Sequence, residues 1–131
     1  MHMNLLEEGE VVRLTADPIT TTQLVKYAGA SGDFNRIHFD EPFARAQGLK
    51  AVLAHGMLTM AIVGRCLEQA VGESAYVEEF SSQFLAPVWV GDVVEATARL
   101  AERGEGEGVL ELSAAVEDRM VLRGRARVRW N

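Results

Sequence analysis

His55-Gly56-Met57-Leu58-Thr59-Met60-Ala61-Ile62-Val63-Gly64 opens a segment that runs on to Val71 and is apolar on nearly every side for its first turns. A helix of that character belongs in the middle of a domain, and Gly72 supplies its stop. Ahead of it, Leu53, Ala54 and His55 include no Ser, Thr, Asp or Asn that could cap the first backbone N–H groups. Two readings of Gly56 follow. In one, the uncapped N–H groups and the helix dipole are kept for a ligand carbonyl that gains negative charge, so that Gly56 N–H is an oxyanion-hole donor. In the other, Gly56 is itself a modest N-cap and His55 a structural turn residue.

Outward from this helix toward the C-terminus the chain reads as strand. Tyr76 to Leu85 carries Tyr76, Phe80 and Phe84 on one parity, which predicts one aromatic face, and Pro87 ends or bends the strand. Gly91-Asp92 reads as a turn, Val93 to Arg103 as a strand, and Gly104 to Gly108 as a flexible hairpin loop. Val109 to Val116 and Met120 to Trp130 complete the set, joined tightly near Asp118. Toward the N-terminus, Val11 to Thr15 reads as a first strand stopped by Asp17-Pro18. A helix from about Thr22 to Ser31 follows, with Thr20, Thr21 and Thr22 as candidate caps and Gly32 as its left-handed stop. Asp40 can cap a short helix from near Pro42 to Gly48, and Lys50 to Ala54 is a connector or short strand. A long apolar helix beside several strands requires the sheet to wrap it, because nothing else in the chain can cover it. The fold class is therefore α+β, a single domain over 1–131 with an antiparallel sheet around a central helix, without internal repeat or linker.

From the end of the first predicted helix to just before the second lies the chemistry: Tyr27-Ala28-Gly29-Ala30-Ser31-Gly32-Asp33-Phe34-Asn35-Arg36-Ile37-His38. Past Gly32 the backbone is irregular, so Asp33 and His38 can turn toward a common point. A neutral imidazole beside a carboxylate is a sufficient pair for moving water in or out. Asn35 lies between them, with donor and acceptor atoms to hold the loop or a water. The alternative is wholly local: Asp33 caps the next turn, Asn35 makes an Asx-turn, and His38 is a half-buried histidine satisfied by a carbonyl. Arg36 either reaches Asp33 and lowers its proton affinity or points to solvent.

Taken together, the two stretches resemble the MaoC-like hydratases and dehydratases, whose signature is an aromatic, small residues, then Gly-Asp-x-Asn-Pro-aliphatic-His. Here the pattern is Tyr27, Ala28 to Ser31, Gly32-Asp33-Phe34-Asn35-Arg36-Ile37-His38, with Arg36 where the family usually has proline. The likeness continues through Phe39-Asp40-Glu41, Ala44 and Gly48-Leu49. Ala54 to Met60 is similar to the catalytic subunit of a mycobacterial (3R)-hydroxyacyl-ACP dehydratase, and Phe84 to Val93 to the family's strand and turn before its final hairpin. The resemblance implies a hotdog fold, commonly paired so that two sheets join and the active site lies at the subunit interface. It implies reversible hydration of trans-2-enoyl thioesters to (3R)-hydroxyacyl thioesters. Asp33, His38 and Gly56 would be catalytic, and Asn35, Ser31 and His55 would position or bind substrate. Coenzyme A or phosphopantetheine enters only as the substrate's handle, with no metal or other cofactor. Two rivals remain, an acyl-thioester hydrolase on the same fold and a subunit that needs a different hotdog chain as partner; a homodimer is the default.

With 131 residues, 48% apolar and 24% charged, the chain reads as one soluble globular domain with a real core. Its net charge of −6 argues against nucleic acid as a general partner. Cys66 is the only cysteine and is read as a core residue, which fits a reducing cytoplasm. Met57 to Val71 is too short for a membrane span and carries Arg65 and Glu68. No basic-then-apolar targeting pattern opens the chain, and Met1-His2-Met3 is left out of the argument. Arg123, Arg125, Arg127 and Arg129 share one parity: either a solvated face with Glu95, Glu111 and Glu117 as cross-strand partners, or a site for phosphate or an acidic carrier protein. Met57 and Met60 either line an acyl pocket or fill core.

Overall fold

A computed structural model describes residues 6–131; Met1-His2-Met3, and part of the reading of the chain's opening, lie outside them. Its elements are β1 (Val11–Thr15), α1 (Thr21–Ser31), α2 (Glu41–Ala46), α3 (Gly56–Val71), β2 (Ala75–Phe84), β3 (Glu95–Arg103), β4 (Glu107–Val116) and β5 (Arg119–Trp130). The strands form one antiparallel sheet in the order β1-β3-β4-β5-β2, so β2 and β1 are its edges. No helix among the described residues is long and apolar enough to cross a membrane.

The sheet wraps α3, as expected, and α3 touches β1, β2, β3 and β4. Leu58, Thr59, Ile62, Val63, Cys66, Leu67 and Val71 form its buried stripe, at the three- and four-residue spacing that keeps side chains on one face. Opposite them the sheet presents Ala96, Ala98, Leu100, Leu110, Leu112, Ala114, Leu122, Ala126 and Val128, all essentially covered. The alanines leave space for the helix, while the leucines fill between its turns. The apolar first turns are not fully covered: Met57 is exposed, so within a single chain the stripe has an open flank.

Two packing contacts align β2 with this helix. A Cβ built at Gly64 would stand 3.4 Å from the Phe80 ring, and one at Gly56 would stand 3.2 Å from the Phe84 ring. The glycines are separated by about 12 Å of helix rise and the phenylalanines by about 13 Å of strand, so both rings meet a side-chain-free spot. The single aromatic face expected of Tyr76, Phe80 and Phe84 is not observed. A bulge between Val77 and Glu79 shifts the register, so Tyr76 pairs with Arg129 on the outer face while Phe80 and Phe84 pair with Ala126 and Leu122 on the inner one.

Smaller details are equally local. Thr20, one of the three candidate caps, caps α1, its hydroxyl accepting from Gln23 N–H at 3.1 Å. The segment before α3 is not a strand but contributes one bridge, Leu53 to Trp89. Of the arginine row on the outer face of β5, only Arg127 and Arg129 form ion pairs among the described residues, and Glu111, although opposite Arg125 in the register, turns to another partner. Arg127 and Arg129 meet Glu78 and Glu79 of β2, whereas Glu111 pairs with Arg99 and Glu95 with Arg13. Glu117 sits in the β4–β5 turn at positive φ.

Candidate active site

The loop after α1 is shaped by side chains that cap the backbone two residues ahead. Gly32 ends the helix in the left-handed region at φ 77°, its N–H bonded to Ala28 C=O. Ser31 Oγ then accepts from Asp33 N–H at 3.1 Å, Asp33 Oδ1 from Asn35 N–H at 3.2 Å, and Asn35 Oδ1 from Ile37 N–H at 3.2 Å. The local reading of Asn35 is therefore correct for its oxygen, which starts a single 3-10 turn over Arg36–His38. Asp33 uses one oxygen on the loop and keeps Oδ2 turned toward His38 Nε2, 3.8 Å away.

Leu53 clamps this loop to the start of α3. Its N–H donates to Ile37 C=O at 3.2 Å, and its C=O accepts from His38 Nδ1 at 2.7 Å. A carbonyl only accepts, so the proton of the neutral ring sits on Nδ1 and the Nε2 lone pair faces Asp33. The alternatives for His38 merge here: one nitrogen is satisfied by a carbonyl, and the other is free to act as a base.

His55 sets the depth of the site. Its ring stacks on His38 with centroids 3.7 Å apart and planes 18° from parallel, and lies 4.8 Å from the Tyr27 ring. Its Nε2–H donates to Asp33 C=O at 3.2 Å, tying the loop to the residue that precedes α3. Its Nδ1 is buried and has no partner among the described residues. Burial pushes the His55 imidazole below its ordinary range and the nearby His38 adds to this, while the bond to Asp33 C=O opposes it. His55 is thus a neutral spacer.

At the start of α3, the His55 side chain makes no capping bond, and among the described residues the Gly56 and Met57 amides donate to no protein acceptor. A cavity of about 470 Å³ opens there, walled by Tyr27, Ser31, Asp33, His55, Gly56, Met57 and Phe84. The predicted residues Ser31, Asp33, His55 and Gly56 all reach it. His38 lies one layer deeper behind His55, in contact with the site through its approach to Asp33. Asn35 shapes the loop and is not on this wall. Arg36 does not reach Asp33: its side chain stays on the exposed surface, where it forms an ion pair with Asp40 at 2.8 Å and lies over the Phe43 ring at 4.3 Å. That guanidinium holds the Asp40 carboxyl below the usual carboxylate range. Phe84 is the wall residue that sequence reading did not single out; its only signal was a position four residues beyond Phe80, matching Gly64 and Gly56.

Donor atoms of Asp33, His38 and His55 lie within 4.8 Å of one another. Stacked rings, however, carry their in-plane lone pairs side by side instead of meeting at one point, and each ring already donates to a carbonyl. The set does not fit a metal held by both imidazoles. It fits one small polar molecule: 3.8 Å between Asp33 Oδ2 and His38 Nε2 is too long for a direct hydrogen bond, yet an oxygen at about 2.8 Å from each can bridge it.

Residues 5–118 match the family model described as MaoC like domain. The chain is 34% identical to the fatty acid synthase subunit beta of Aspergillus oryzae over 97% of its own length, although it spans only 6% of that much longer protein. It is 32% identical to the 3-hydroxybutyryl-CoA dehydratase of Methylorubrum extorquens over 85% of this chain and 73% of that one. Among solved structures, an (R)-hydratase from A. caviae involved in PHA biosynthesis superposes with a TM-score of 0.89 at 27% identity, covering 96% of this chain and 98% of the other.

Proposed function

From the premise that this chain belongs to the MaoC-like domain family, we propose that it hydrates trans-2-enoyl thioesters reversibly to (3R)-hydroxyacyl thioesters. The observation that carries this reading is the His38–Asp33 pair, with a base nitrogen and a carboxylate oxygen facing each other across a gap of one water. Water held there loses a proton to His38 Nε2 as its oxygen bonds to C3 of the substrate. The C2–C3 π electrons pass toward the thioester oxygen, which takes up negative charge opposite Gly56 N–H at the positive end of α3. The proton returns from the imidazolium to C2 on the same face, and the sum is addition of one water. Asp33 orients the water and stabilises the imidazolium; Ser31 and Asn35 hold the loop that carries Asp33, and His55 holds its carbonyl. All of these are groups of the protein, with coenzyme A or phosphopantetheine present as part of the substrate. The buried single cysteine, Cys66, supports action in a reducing cytoplasm.

The same reading takes the active form as a homodimer. β2 is a ten-residue edge strand carrying Tyr76, Val77 and Phe84 exposed. Such an edge with an apolar fringe is stabilised by pairing with its own copy.

The deciding experiment follows loss of the conjugated enoyl absorbance of crotonyl-CoA and longer enoyl-CoAs. The expected result is loss without thiol release, a (3R) product, and abolition by Asp33→Asn and by His38→Gln. Release of free thiol from a saturated acyl-CoA would instead establish a thioesterase. Inactivity at every chain length overturns the stand-alone hydratase.

A further inference from the structure

Two cavities meet at Phe84. The first is the one that holds Asp33 and Gly56. The second, of about 400 Å³, adjoins it and is walled mainly by apolar residues, among them Leu53, Leu85, Val88 and Val121. Gly56 and Phe84 belong to both walls. The ring stands so close to the helix start that a Cβ at position 56 would lie 3.2 Å from its Cε1 and Cζ, so that any larger residue there would push the ring by a few tenths of an ångström. Phe84 is thus a partition between a chamber that holds Asp33 and His55 and one lined without a titratable side chain. With 51% of its surface exposed, the ring is only half packed by its own chain, which leaves it room to change rotamer.

Resting on the hydratase reading, we propose that Phe84 is the residue that sets acyl length. With the thioester oxygen at Gly56 N–H and C3 beside Asp33 and His38, the carbons from C4 onward leave the chamber that holds Asp33. The adjoining space without a charged side chain is the second cavity. A short acyl group reacts with the ring in place. A long one must turn the ring aside, and each further methylene then gains by leaving water for an apolar wall. The substrate class is accordingly short-chain enoyl thioesters, with the limit set by one side chain and not by the catalytic residues.

The test compares wild type, Phe84→Ala and the milder Phe84→Leu on crotonyl-CoA and trans-2-decenoyl-CoA, with melting curves to verify folding. Both variants are expected to raise the ratio of kcat/KM for the long substrate over the short one by about tenfold or more. Phe84→Ala should show the larger change. An unchanged ratio in both variants, or an equal loss on both substrates, overturns the proposal. The two readings fail separately: if no enoyl-CoA turns over, hydration is excluded, while calorimetry with butanoyl-CoA and decanoyl-CoA still decides the partition. Tighter binding of the decanoyl thioester to Phe84→Leu than to wild type then supports it, and equal binding sinks it.

Discussion

His55 shows how much one side chain does here without touching the reaction. It holds the Asp33 carbonyl, backs the His38 ring, and is kept neutral by burial. Its folded proton affinity lies below its unfolded one, so its contribution to stability is present above the ordinary imidazole range, near pH 6.5. It is lost as pH falls and the unfolded chain takes up a proton that the folded chain refuses. Thermal melts should therefore drop on acidification through about pH 6, and His55→Phe, which keeps a ring against His38, should flatten that slope. The same slope in the variant would place the effect elsewhere. For the pair itself, Asp33→Asn and His38→Gln are each expected to lower kcat by about a hundredfold to ten-thousandfold with little change in melting temperature. Arg36 yields the opposite expectation. The preceding Asn35 already has φ −59° and ψ 124°, the conformation a following proline requires, and Arg36 opens a 3-10 turn. The family's proline restored by Arg36→Pro should cost little: the ion pair with Asp40 is exposed and screened by solvent, and reduced freedom of the unfolded chain returns about 0.4–1 kcal/mol. A melting temperature several degrees lower would show that the Arg36–Asp40–Phe43 contacts matter more than their exposure suggests.

At the level of elements, α3 carries both the core and the site, and its two duties separate along its length. Ile62 and Val63 are deep in the core, and Ile62→Ala should cost about 2–5 kcal/mol in urea unfolding. On the proposed mechanism, Gly56→Ala should leave the fold intact yet depress turnover, because the new methyl presses on Phe84 beside the amide that the thioester oxygen would reach; unaltered kcat would show that the ring gives way without obstructing that approach. This helix was legible in the sequence because a run of apolar residues closed by Gly72 has few other interpretations. So was the self-capping loop, since Ser31, Asp33 and Asn35 each act over two residues. What was not legible depends on distance or on backbone irregularity. Period-two reasoning assigned Tyr76 to the face of Phe80, and a single extra residue near Glu78 reversed it. The meeting of Phe84 with Gly56 and of Arg36 with Phe43 depends on how elements settle against one another, which residue spacing within either one does not encode.

For the molecule as a whole, the homodimer expectation is tested by sedimentation equilibrium, where the mass should be twice the 14.4 kDa of one chain; a monomer that is fully active would refute it. Cys66 offers a check on the enclosure of the core. Burial pushes its thiol up from the ordinary range, and its Sγ donates to Val12 C=O. It should resist alkylation at neutral pH until the chain unfolds. The two sheet edges are unequal: β1 offers five residues, including Arg13, and β2 offers ten. Growth into a filament would require each copy to lay its long edge against the next copy's short one, leaving half of every long strand unmatched. Pairing long edge with long edge satisfies both at once and leaves only stubs facing outward. On the homodimer reading, the disparity between β1 and β2 is thus a terminator of assembly, and it would let the chain keep a sticky margin at one edge without polymerising.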